Sequence, residues 1–139
     1  MKFKALAIAA LATSVSLSAT HPSLAQTYSS AINTSNISAN DQVFIRNYKS
    51  LIVQIVKEPR SRQILLYSVQ NNPVVSINTA KVVCSSLRSG ISMNEISRIQ
   101  VETIINQGGS SQEQQTGAKN FGIINSLAPM HYCPEFQGS

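Results

Sequence analysis

The chain is poor in the groups that do chemistry. It holds one aspartate, Asp41, two histidines, His21 and His131, and two cysteines, Cys84 and Cys133, and only 12% of its residues are charged. Zinc needs three or four ligands, and two cysteines with one histidine barely qualify in the absence of a characteristic spacing, so no metal site is expected. There is no Gly-x-Ser-x-Gly elbow and no glycine loop of the phosphate-cradling kind. Hydrolase and nucleotide-binding readings therefore have no motif to rest on, and no cofactor is implied. Glu58, Glu95, Glu102, Glu113 and Glu135 could pair for acid-base work, but nothing in their spacing says that they do. A clustered basic stripe is also missing, which argues against nucleic acid as a partner.

Long apolar runs are equally scarce. The one unbroken example, Ala5 to Ala12, follows Lys2 and Lys4, and Pro22 precedes Ser23-Leu24-Ala25. This order predicts a signal peptide over residues 1–25, cut before Gln26. The run is shorter than the ~20 apolar residues that a spanning helix needs, and Thr13 interrupts it, so no transmembrane span is expected in the mature form. No cysteine flanks the cleavage point to carry a lipid, and no twin arginine precedes the run. The product is expected to be exported, secreted or periplasmic. Loss of Lys2 and Lys4 lowers the formal charge from +5 to +3.

Two cysteines in an oxidising compartment favour a disulfide. Ala80, Val83, Cys84 and Leu87 recur at i, i+3, i+4 and i+7, which places Cys84 on the buried stripe of a helix that Gly90 can close in a left-handed conformation. Cys133 ends a second apolar helix. His131, two residues before it, is the only histidine left after export. A thiol enzyme with a site assembled in the fold around His131 and Cys133 is therefore the alternative to a non-catalytic domain.

Residues 26–40 are rich in Ser, Asn and Thr and read as a flexible extension, and 41–136 as one helical domain. Asn33-Thr34-Ser35 and Asn36-Ile37-Ser38 are formal glycosylation sequons, of a kind that such tails produce by chance. A first helix is predicted over Asp41 to Glu58, capped by Asn40 or Asp41. Phe44, Tyr48, Leu51, Ile52, Ile55 and Val56 lie on its inner face, and Pro59 stops it. The basic cluster Lys57 to Arg62 is either a solvated turn or an anion holder at the next helix start. A short helix follows from about Ser61 to Gln70. Val74, Val75 and Ile77 then lead into the Cys84 helix, which is predicted to begin near Ser76 to Asn78.

Ser92 and Glu95 have the spacing of a capping box, and Gly108-Gly109 closes the helix from Met93 to Gln107. Its apolar residues cover most of the circumference, which predicts a central helix packed on more than one side. Glu95, Arg98 and Glu102 form a narrow solvated strip. Ser110 and Glu113 suggest a second capping box, opening a helix that carries Phe121, Ile124, Leu127, Ala128 and Tyr132 on one side. Pro129 should kink or break that helix. The fold class predicted is all-α, a bundle of about four to five short helices.

Val83-Cys84-x-x-Leu87-x-x-Gly90-Ile91-Ser92 and Ala128-x-x-x-Tyr132-Cys133-Pro134, with the Asp41-x-x-Phe44 opening, resemble domain-of-unknown-function family 732, small exported helical domains of bacteria. The resemblance spans roughly Asp41 to Pro134. It implies an exported α-helical domain with a Cys84 to Cys133 bridge, and it implies no activity. The chain departs from that family in using Ser, Asn and Ile where members are rich in Ala, and in placing Pro129 within the last helix. The expectation is a non-catalytic exported domain that binds a protein, a cell-envelope component or a small apolar ligand. No catalytic, cofactor-binding or metal residue is assigned.

Overall fold

Local capping chemistry divides residues 37–138, the part of the chain described by this computed structural model, into five α-helices and a 3-10 turn, with no strand among the described residues. The predicted signal peptide, the extension as far as residue 36, Asn33 and Asn36 lie outside that range. The helices are α1 Ala39–Ile55, α2 Pro59–Asn71, α3 Pro73–Arg88, α4 Met93–Gln107 and α5 Ser111–Tyr132, with the 3-10 turn at Pro134–Phe136.

The cap of α1 is Ser38, not Asn40 or Asp41. The Ser38 hydroxyl accepts from the Asp41 N–H, and the Asp41 carboxylate accepts from the Ser38 N–H, so Asp41 is the third residue of a capping box. The last residues assigned to the extension are therefore already part of the domain. Ile55 and Ile64 face outward, 51% and 45% exposed, while Phe44, Tyr48, Ile52 and Val56 fill the core.

Two prolines start helices where the sequence suggested linkers. Pro59 opens α2 behind the Glu58 cap, and Pro73 opens α3 several residues before the expected start. A proline at the first helical position loses no hydrogen bond, because that N–H has no intrahelical acceptor. The segment Val74 to Ile77 is thus the first turn of α3, with Ser76 and Ile77 buried. At its other end Gly90, at φ 79°, lets its own N–H reach the Leu87 carbonyl and the Ile91 N–H reach that of Ser86. This is the Schellman pattern, and buried Ile91 supplies its apolar contact.

The long helix α5, 22 residues, is the hub. It packs against α1, α2, α3 and α4, whereas α4 packs chiefly on α5 and only lightly on α3. The expectation that α4 would be central is wrong. Only Ile96 and Gln100 of α4 are buried, and Val101 and Ile105 stand 45% and 57% exposed. A five-helix domain has too few elements to surround two helices, and α5 takes the middle. Its position is also held by the cross-link that ties its end to α3.

Pro129 does not break α5, which continues to Tyr132. A proline this close to the end removes one helical bond, and side chains from other helices hold the last turn. The Arg88 guanidinium donates to the Tyr132 carbonyl at 2.9 Å, and the Asn40 amide donates to the His131 carbonyl at 2.8 Å. Orphan carbonyls at a helix end are satisfied here by tertiary contacts.

Candidate functional site

At the end of the bundle where α1, α3 and α5 meet, Cys84 and Cys133 form the predicted disulfide, with Cα atoms 5.7 Å apart and both residues buried. The nucleophile of a thiol enzyme is a thiolate, and this sulfur is committed to a bond. His131 is held by different company from that a base would need. Its Nε2 lies 3.2 Å from the Asn47 amide, its ring packs edge-on against Phe44 at 5.7 Å, and burial lowers its pKa. The structure does not bring His131, a free Cys133 and an orienting carboxylate together.

The buried carboxylate in this region belongs to Asp41, which serves three partners. Besides the Ser38 N–H it accepts from the Tyr132 hydroxyl at 2.7 Å and pairs with the Lys81 ammonium at 3.1 Å. Burial alone would raise the Asp41 carboxyl. Hydrogen bonds from Tyr132 and Ser38 and the charge of Lys81 outweigh that and hold it below its usual value. The Lys81 ammonium also lies 5.3 Å from the centre of the Tyr132 ring. The sequence reading treated Asp41 as a cap alone. A lone aspartate in a chain of low charge was the available signal, but its partner Tyr132 lies 91 positions away. All three helices are joined through this carboxylate, so it reads as a clasp.

The basic cluster Lys57 to Arg62 closes the α1–α2 corner. Lys57 donates to the Gln54 carbonyl at 2.7 Å, and Arg62 to the Val56 carbonyl at 2.9 Å. The anion at the start of α2 is the protein's own, because the Glu58 carboxylate accepts from the Arg60 and Ser61 N–H groups. The Ser61 hydroxyl foremost, then these N–H groups, lower its pKa to about 2.

The opposite end of α5 is open. There α4 and α5 leave a groove of about 260 Å³. Ile99, Ile104 and Phe121 give it an apolar wall, and Gln100, Thr103 and Asn120 bring polar groups. Gly117 belongs to the construction: a Cβ there would lie 3.3 Å from Ile104 Cδ1, so glycine lets the two helices approach closely. Beneath the groove runs a polar layer. Gln100 and Asn125 exchange amide hydrogen bonds at 3.2 and 2.7 Å, Ser61 and Thr116 pair at 2.7 Å, and the Tyr48 hydroxyl donates to Asn120 Oδ1. Burial pushes the Tyr48 phenol up to about 12, so it stays a donor at any ordinary pH.

The Ser92–Glu95 box is only half formed. Ser92 accepts from the Glu95 N–H at 3.2 Å, but the Glu95 carboxylate turns to Arg98, at 2.6 and 3.0 Å. Arg98 also pairs with Glu102, and all three side chains are about half exposed, the solvated strip expected. Among the described residues no cluster of three or more His, Cys, Asp or Glu side chains could hold a metal ion, and no helix is long and apolar enough to cross a membrane. In comparisons with known proteins, no family model, no curated protein and no solved structure matches this chain.

Proposed function

We propose that the protein is an exported, non-catalytic helical domain that binds a ligand in the groove between α4 and α5. The observation that carries this reading is the groove itself: a concave apolar wall with a few placed polar groups, which is the usual make-up of a small-molecule site. Export is supported by the charged, apolar and small-residue order of residues 1–25 and by the Cys84–Cys133 bond, which an oxidising compartment sustains. The resemblance to domain-of-unknown-function family 732 points the same way. The enzyme alternative around His131 and Cys133 draws no support from a geometry in which one is bonded to Cys84 and the other faces Asn47.

The test compares what co-purifies from the native envelope with the protein and with a Thr103→Trp variant, whose indole fills the groove. Material bound by the first and lost by the second supports the reading. Identical co-purifying material, with the variant folded, sinks it. Intact mass of the exported form checks the address, with Gln26 expected as its first residue.

A further inference from the structure

The geometry points to a neutral ligand of about ten non-hydrogen atoms, with an apolar body and one hydrogen-bond acceptor that faces the side-chain amide of Asn120. This deepens the binding reading above and rests on it. Size comes first. An engineered cavity of about 150 Å³ takes benzene, so a groove of about 260 Å³ suits a body somewhat larger than one six-membered ring.

The polar requirement follows from how Asn120 is held. Its Oδ1 is taken by the Tyr48 hydroxyl, and that phenol is buried and kept protonated. The Tyr48 bond therefore sets the orientation of the amide. Among the described residues nothing accepts from Asn120 Nδ2, and Asn120 lines the groove. An amide N–H beside an apolar wall asks for a carbonyl, ether or hydroxyl oxygen, because covering it without an acceptor costs free energy.

Charge is excluded in both signs. No lysine or arginine lines the groove, so an anion would be desolvated with nothing to pair it. The one charged lining residue, Glu113, is already engaged. Its carboxylate accepts from the Ser110 N–H at 2.6 Å and from the Ser110 hydroxyl at 2.8 Å, and it also feels the charge of Arg60 on α2. Both bonds use Oε2, and the carboxylate is exposed, so a cationic ligand would meet only a water-screened partner there and gain little from it.

The experiment titrates isotope-labelled protein, disulfide intact, with cyclohexanone, cyclohexanecarboxylate and cyclohexylammonium, and follows the Ile99 and Ile104 methyl and Asn120 amide resonances. Cyclohexanone should move all three sets and bind at least about tenfold more tightly than either ion. Asn120→Asp keeps an acceptor for Tyr48 but removes the donor, and should weaken cyclohexanone by about fivefold or more. Thr103→Trp blocks the groove without touching Tyr48 and should abolish the shifts. An ion that binds as well as the ketone overturns the neutral-ligand proposal and leaves the groove as a site. If none of the three probes moves a groove resonance, the groove reading itself falls.

Discussion

The two ends of α5 are built in opposite ways. Around Tyr132 the helix is fastened by a disulfide, by the Asp41 carboxylate and by Arg88, which donates to the Tyr132 carbonyl and pairs with Glu135 at 2.8 Å. Around Gly117 it is covered on one side by α4, whose outer residues Val101 and Ile105 remain exposed. The fastened end joins segments more than 40 positions apart in sequence, and its disulfide, the covalent tie among them, also restricts the unfolded chain. At the open end the ties across the sequence are hydrogen bonds alone, Ser61 to Thr116 and Tyr48 to Asn120, and the groove itself lies between helices adjacent in sequence. A small domain of this design can keep a groove open at one end because stability is concentrated at the other.

That contrast is broken most severely by removing the disulfide. A cross-link spanning 49 positions is worth ~4 kcal/mol in the chain-entropy account, against the ~5 to 15 kcal/mol that holds a small domain together. The Cys84→Ser, Cys133→Ser protein should melt far below the oxidised form and keep its helical content when cool, as read by circular dichroism. An unchanged melting temperature would mean that the fastened end is fastened by something else.

Next in size is Asp41→Ala, which strips Tyr132, Lys81 and the Ser38 N–H of their common acceptor and should cost about 2 to 3 kcal/mol in denaturant unfolding. Its pH dependence has a definite sign. A carboxyl whose pKa is lower in the folded state contributes stability above its unfolded value and loses it as pH falls through the folded one. The stability gap between the native protein and Asp41→Asn should therefore shrink as pH drops below 3.8. A gap that stays constant down to strong acid would separate Asp41 from the clasp.

Tyr48→Phe tests the polar layer between the two ends. It removes the hydroxyl bonded to Asn120 Oδ1 and should cost about 1 to 2 kcal/mol. Because that bond orients Asn120, the variant should also weaken cyclohexanone binding, which a purely structural loss would not do. The smallest effect is expected from Gly117→Ala. Alanine gains up to about 1 kcal/mol of helix propensity, and Ile104, beside an open groove, can yield to the new methyl group, so the net change should be a stabilisation of about 0.5 kcal/mol. Destabilisation by more than about 1 kcal/mol would show that the open end is packed as tightly as the fastened one.

Much of the architecture was legible because it is written in short-range chemistry. Ser110 with Glu113, Gly90, Gly108 and the 3.6-residue spacing of Phe44, Tyr48 and Ile52 each act within a few residues of themselves, so all five helices and the all-α class follow from the chain alone. The start of α3 was legible in principle, since Pro73 at a first helical position is itself a signal. It was masked by the apolar Val74 and Val75.

What escaped the sequence was everything that depends on which helix reaches the centre. The apolar circumference of α4 says that it could be surrounded, but not that α5 claims the neighbours. Pro129 is tolerated because Arg88 and Asn40 come from elsewhere to hold the last turn. Asp41 becomes a clasp only when Tyr132 and Lys81 arrive, and the Asn120 oxygen is occupied only because Tyr48 reaches it from α1. Helix ends are set by groups three or four residues apart, whereas sites are set by groups that meet after packing, and packing is a competition among all the faces at once.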